Sequence, residues 1–336
     1  GMPPHAQQFA GDPHGDAAAR KAFDESRRNF IALVFCLMVG TASLPHVLTR
    51  FYTTPSVAET RASVAWSLFF ILLLYVTAPA LAVLVKVELF DSLVGTRFDQ
   101  LPAWINNWAH VDSSLLQVAD VNGDGIVQLG EIKIGGDIVV LATPEIAGLP
   151  YVISGLVAAG GIAAALSTAD GLLLTIANAL SHDLWFRIVD PGAPATKRVT
   201  VSKVLLLMVA LVAADVTAQK PGDILLLVSA AFSIAASAFF PALVLGVFWK
   251  RANRWGAAAG MVSGLGLTVY YVLVNQPGVR ETVGITSPIR LWWGIQPIAA
   301  GLFGVPVGFA MLVVVSLLTP APSRAALAMV DDVRLP

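Results

Sequence analysis

The stretch from Tyr151 to Trp185, YVISGLVAAGGIAAALSTADGLLLTIANALSHDLW, is apolar, free of proline and longer than the roughly 20 residues that cross a bilayer. Its centre nevertheless carries Ser167, Thr168 and Asp170, with Asn178 and His182 further on. A polar group left unpaired in hydrocarbon is costly, and a charged one at that depth marks a functional site. Ala164, Ser167, Thr168, Gly171, Thr175, Asn178 and His182 recur at three- and four-residue steps, so a helix places them along one side. That side is small and polar, whereas the other is Leu, Ile and Val. A lone Ser or Thr in such a helix often does no more than bond a carbonyl of the preceding turn. Asp170 beside them at mid-membrane favours a functional site instead.

The whole 336-residue chain is 56% hydrophobic and only 13% charged, against about 25% charged in a soluble domain, so it reads as an integral membrane protein. A net charge of −1 says nothing about partners, no nucleic-acid partner is expected, and the single Cys36 lies in an apolar segment, which leaves no disulfide framework. Hydropathy and length predict seven spans, near Phe30–Val47, Ala62–Val85, Tyr151–Trp185, Val201–Thr217, Ile224–Trp249, Gly256–Val274 and Gly294–Leu318. Trp66, Trp185, Trp249, Trp255, Trp292 and Trp293 stand near span ends, where amphipathic rings settle.

Residues 1–28 are polar and read as a loop outside the cytoplasm. Gly1 is not an initiator, and the chain reads as the later part of a longer protein or as a truncated gene product. Spans one and two fill 29–85, an extracytoplasmic insert fills 86–150, spans three to seven fill 151–319, and a short frayed cytoplasmic tail fills 320–336. Orientation follows from the positive-inside rule. Arg50, Arg61, Arg187, Lys197, Arg198, Lys203, Lys250, Arg251 and Arg254 crowd alternate loops, which are therefore cytoplasmic.

Two further motifs carry chemistry. Gly40–His46, GTASLPH, places a proline in the first span, either an ordinary kink or a broken helix; in the second case freed backbone groups must face protein or water, and Gly40, Thr41, Ala42 and Ser43 line a candidate cavity. In the insert, DVNGDGIVQLGE from Asp120 to Glu131 fits the twelve-residue calcium-loop pattern at each defined place. Asp120, Asn122, Asp124, Ile126 (through its carbonyl), Gln128 and Glu131 are the expected ligands, with Gly125 at the turn and Val127 facing inward. Flanking helices are weakly indicated at Ser113–Ala119 and Gly130–Leu141.

GTASLPHVLTRFYTTPS (Gly40–Ser56) and AALSTADGLLLTIANALSHDLW (Ala164–Trp185) resemble the substrate-side broken helix and the cation-site helix of the sodium:solute symporter family, acetate-permease-like subgroup. The calcium-loop insert resembles that of a subset of those proteins. The resemblance implies an all-α integral membrane protein of the LeuT-type five-plus-five inverted-repeat fold, here partial: the second repeat plus two further helices. It implies sodium as coupling ion, with Ala164 giving a backbone carbonyl and Ser167 and Thr168 giving hydroxyls. Asp170 falls at a possible second cation or proton site. The implied activity is symport of acetate or a similar small monocarboxylate across a bacterial inner membrane. The remaining N-terminal helices would come from an upstream segment or a separate chain. Calcium is the second expected ion, structural or regulatory.

Two other classes compete. A transporter-like membrane sensor would suit an outer calcium loop, and a downstream kinase-type domain would favour it. An intramembrane enzyme using Asp170 or His182–Asp183 lacks any paired acid, nucleophile motif or zinc spacing. The chain is therefore expected not to be an enzyme.

Overall fold

The structure is a computed structural model describing residues 9–111, 116–135, 138–219, 224–277, 280 and 284–334. Seven of its helical segments are long and apolar enough to cross a membrane: Ala17–Phe51, Val57–Leu93, Tyr151–Val189, Ala195–Ala218, Leu226–Phe248, Arg254–Asn275 and Pro297–Leu318. Each overlaps one expected span, and the protein is a multi-pass, essentially all-helical membrane protein. Two compact units divide the chain, residues 53–191 forming most of one and residues 6–52 with 192–336 the other.

The first unit begins with α3 (Val57–Leu93), capped where the Ser56 hydroxyl accepts from the Glu59 amide at 3.2 Å. At 1.5 Å per residue its 37 residues run to about 55 Å, well beyond a hydrocarbon core of about 30 Å. The surplus is used. Val85, Leu89 and Leu93 recur every fourth residue at its C-terminal end and are buried with Ile105, Leu116, Val127, Ile132, Ile138 and Ala142. This is a small core of its own, built around α4 (Ala103–Val111), the strands β1 (Leu116–Val118) and β2 (Ile132–Ile134), and α5 (Val139–Ile146). The strands pair antiparallel, Gln117 opposite Lys133. The helix expected over Ser113–Ala119 gives way to β1, and the one expected over Gly130–Leu141 is α-helical only from Val139, where α5 begins, with β2 before it. Leu116 and Val118, like Ile132 and Ile134, alternate with polar residues at the strand period of two. Residues 113–115, 136 and 137 of those stretches lie outside the described residues.

α5 packs on both α3 and α6 (Tyr151–Asn178). The third span does not stay α-helical: Ala179–Val189 continue it as a π-helix.

In the second unit, α1 (Ala17–Thr41) starts well inside the expected N-terminal loop. The Asp16 carboxylate accepts from the Ala19 amide at 2.7 Å, and the Ala-rich run behind it favours a helix that packing then extends. α2 (Pro45–Leu48) follows α1, and α7 (Ala195–Ala218), α8 (Ile224–Phe248), α9 (Arg254–Asn275) and α10 (Gly301–Leu318) complete the spans. Gly256, Gly260 and Gly264 stack along α9; a Cβ on Gly260 would lie 2.8 Å from the Gly308 carbonyl, so glycine lets α9 and α10 touch by backbone. Two buried hydroxyls bond across elements: Thr268 donates to Ser237 at 2.7 Å and Ser233 to the Ile298 carbonyl at 2.6 Å. The tail is a helix too, α11 (Arg324–Arg334), where a frayed end was expected. Asp331 pairs with Lys250 at 2.5 Å, which fastens it to the loop before α9.

Candidate functional site

The polar stripe lies on α6. Thr168 Oγ1 donates to the Ala164 carbonyl at 3.2 Å, the local back-bond a lone threonine makes. That contact also brings together the two oxygens expected to share one ion. Oxygens at right angles around a cation held at 2.3–2.6 Å stand roughly 3.3–3.7 Å apart, close to the spacing here. Ala164, Ser167, Thr168 and Asp170 are all exposed, and the most apolar 18-residue stretch of the span has no buried residue. Further down, Gly171, Ala177 and Ser181 are buried and Thr175 donates to the Gly171 carbonyl at 2.8 Å. Of the stripe itself Gly171 is buried and Thr175 half-buried, whereas Asn178 and His182 are exposed like its centre.

The π-helical segment Ala179–Val189 carries the last member of the stripe, His182. One extra residue per turn rotates the chain relative to a continuing α-helix, and such segments concentrate at functional sites. Inside it His182 Nδ1 lies 3.0 Å from Asp183 Oδ1, both exposed. Nothing in the composition signalled this turn.

In the other unit the expected break is present. α1 ends at Thr41, and after Ala42–Leu44 the chain re-enters α2 with Pro45 in its first turn. Of the four expected lining residues, Gly40 and Ser43 are buried and Thr41 and Ala42 exposed. Gly40 presses on α8, where a Cβ would stand 2.6 Å from the Phe232 carbonyl. Ser43 Oγ lies 3.0 Å from both the Val39 and the Gly40 carbonyls, and Thr41 Oγ1 donates to the Leu37 carbonyl at 2.7 Å. The exposed wall is thus Thr41–Ala42.

The loop 120–131 is closed on itself. Asp120 accepts from the amides of Gly123 (2.7 Å) and Gly125 (3.0 Å), and Asn122 Oδ1 from the amide of Asp124 (3.0 Å). Asp124 accepts from the Ile126 amide (2.8 Å) and from the side-chain amides of Asn122 (2.9 Å) and Gln128 (2.8 Å). The Ile126 amide, then the Asn122 amide, holds the Asp124 carboxyl below the usual range for aspartate. Glu131, expected to close the site with both oxygens, turns under the loop instead. It is buried and accepts from the amides of Val121 (2.9 Å) and Gln128 (3.0 Å). Among the described residues no group of three acidic, His or Cys side chains converges to hold a metal. The loop is keyed to the end of α3 by Gly95 N–H to the Val127 carbonyl and Val127 N–H to the Thr96 carbonyl, both 2.8 Å.

Residues 134–264 match the sodium:solute symporter family. The match contains all of α6, α7 and α8 and the first half of α9. Over 304 residues, 90% of the chain, it is 61% identical to an uncharacterized symporter of Cupriavidus necator and covers 44% of that protein. It is 28% identical to a monocarboxylic acid transporter of Corynebacterium glutamicum, covering 84% of the chain and 45% of that protein. An uncharacterized symporter of Bacillus subtilis, YwcA, is likewise 28% identical over 83% of the chain and 47% of its own length. The chain spans less than half the length of these curated relatives. The likeness is to transporters, not to enzymes.

Proposed function

We propose that the chain is the ion-binding part of a sodium-coupled symporter for a small monocarboxylate such as acetate. The observation that carries the reading is the Ala164 carbonyl and Thr168 hydroxyl at 3.2 Å on an open face of α6, inside the segment that matches the sodium:solute symporter family. Neutral oxygens of this kind replace a sodium ion's water without burying a lone countercharge. Ala164, Ser167 and Thr168 hold the coupling ion in this reading. Asp170, to one side of them, carries a second cation or a proton. The substrate anion meets Gly40–Ser43, chiefly the exposed Thr41 and Ala42. The monocarboxylate rests on the name of the Corynebacterium relative.

The arrangement on this reading is the second half of a LeuT-type inverted-repeat fold in a bacterial inner membrane. The missing oxygens and the cover for α6 come from a further segment or partner chain. The loop 120–131 faces outward as a calcium-responsive part of the insert. A transporter-like sensor responding to outside calcium is the competing reading; it requires binding at that loop without solute movement.

Sodium dependence of uptake, measured in the transporter completed with the remaining helices, tests the assignment. Ser167→Ala and Thr168→Ala should each raise the half-maximal sodium concentration about tenfold, a loss of ~1.4 kcal/mol of binding. Thr168→Ser keeps the oxygen and should be mild. Asp170→Asn should alter the coupling ratio or the pH dependence and leave the first site's sodium affinity nearly unchanged. Unaltered sodium dependence in both alanine variants would show the hydroxyls to be packing only.

A further inference from the structure

The segment before α10 is held from two sides. Tyr271, fully buried on α9, donates its hydroxyl to the Ile295 carbonyl at 2.7 Å and accepts from the Trp292 amide at 3.0 Å. Asn29 on α1 donates to the Gly294 carbonyl at 2.8 Å and accepts from the Gln296 amide at 2.6 Å. Between these clamps Trp293 adopts φ 51°, the one non-glycine residue with positive φ among the described residues. A bulky side chain avoids that region, and such a conformation persists only where its surroundings over-determine it, as they do here.

What the strain achieves is presentation. Trp293 is 77% exposed, and the left-handed turn runs on through Gly294 beside it at φ 74°. Its ring lies 5.7 Å from Phe303, and Trp292 stands 5.2 Å from the same ring. These rings form the mouth of a groove of about 570 Å³ that continues along Leu267 of α9 and Pro306 and Val307 of α10. The lining is almost wholly apolar, and its walls belong to two membrane spans, so the groove is continuous with the surface that meets hydrocarbon. Tryptophan at a span end marks headgroup depth. Arg290, exposed three residues before Trp293, has its backbone fixed by a 3.1 Å bond to Asn275 and supplies a positive charge at that level.

We propose that this groove is a binding site for one acyl chain of an anionic phospholipid, with Trp292 and Trp293 at the glycerol level and Arg290 on the phosphate. The site is independent of the ion site on α6 and stands whether or not the transport reading does.

The test uses the full chain in vesicles of phosphatidylethanolamine and phosphatidylglycerol, the latter bearing a diazirine in its acyl chain. After photolysis and digestion, label on the peptide spanning Trp292–Val307 should exceed that on the lipid-facing Leu68–Tyr75 stretch of α3 about tenfold, the margin of a true site over bulk solvation. Val307→Trp, which fills the groove, should abolish the excess and leave α3 labelling as it was. Should that variant fail to insert, Trp293→Gly removes one wall and relieves the strain, and it too should lose the excess. Arg290→Gln should lower the excess for phosphatidylglycerol but not for a diazirine-bearing phosphatidylethanolamine. Equal labelling of the two segments would overturn the proposal. So would a groove protected from label, which would mean that a second copy or another helix covers it.

Discussion

At the scale of single residues, the two proposed transport elements behave oppositely. Gly40 is constrained from outside: the Phe232 carbonyl leaves no room for a Cβ. Gly40→Ala should therefore push the α1 break away from α8 and lower stability by about 1–3 kcal/mol, the usual cost of overpacking. Gly266→Ala, where a Cβ would meet nothing within 4 Å, should be neutral or slightly stabilising. Thermal unfolding of the two variants in one detergent checks this, and equal midpoints would refute the packing account. Ser167, Thr168 and Asp170, by contrast, are exposed, and Thr168 bonds the Ala164 carbonyl of its own helix, so their substitution should alter binding and leave this chain's stability nearly unchanged.

Among the elements, α3 links membrane and insert. Its last turns supply Val85, Leu89 and Leu93 to the insert core, and its end is stitched to the loop through Val127. α5 in turn packs on both α3 and α6, the helix proposed to carry the ion site. Calcium at 120–131 would have to draw Glu131 away from the amides of Val121 and Gln128, so the affinity should be modest, in the millimolar class of extracellular modules. Calorimetry on the whole chain should show heat at millimolar calcium that Glu131→Gln abolishes, and a silent wild type would remove calcium from the account. Orientation belongs to this scale as well. Val121 is 80% exposed and Cys36 fully buried, so a cysteine at Val121 is readable without background from Cys36. It should react with an impermeant thiol reagent in intact cells, whereas one at Thr196 should not; the reverse pattern would invert the topology.

For the whole molecule the decisive fact is what α6 lacks. A helix with Ser167, Thr168 and Asp170 at its centre and no buried residue in its most apolar stretch needs cover from outside its own unit. The curated relatives are more than twice as long as the region they share with this chain. Thr168→Cys should accordingly react readily with a permeant thiol reagent in the chain alone. Co-expression of the remaining part of the Cupriavidus relative should protect it, and added sodium should protect it further. Equal reactivity in all three conditions would show that no such cover forms.

Periodicity and hydropathy alone determined that the chain spans a membrane, where its seven spans fall, that the first breaks near Pro45, and that polar groups share one side of the third. These are local properties: twenty apolar residues must cross, proline lacks its amide proton, and helical spacing sets a face. Other features depended on contacts between residues distant in sequence. Asp16 starts α1 inside a polar stretch, but packing against α8 prolongs it. Strands rather than helices flank the loop because Leu116 and Ile132 join a core with Leu89. Glu131 turns inward because its partners are the loop's own amides. Trp293 is held left-handed by Tyr271 and by Asn29, 264 positions away from it, a clamp that no window of the sequence contains.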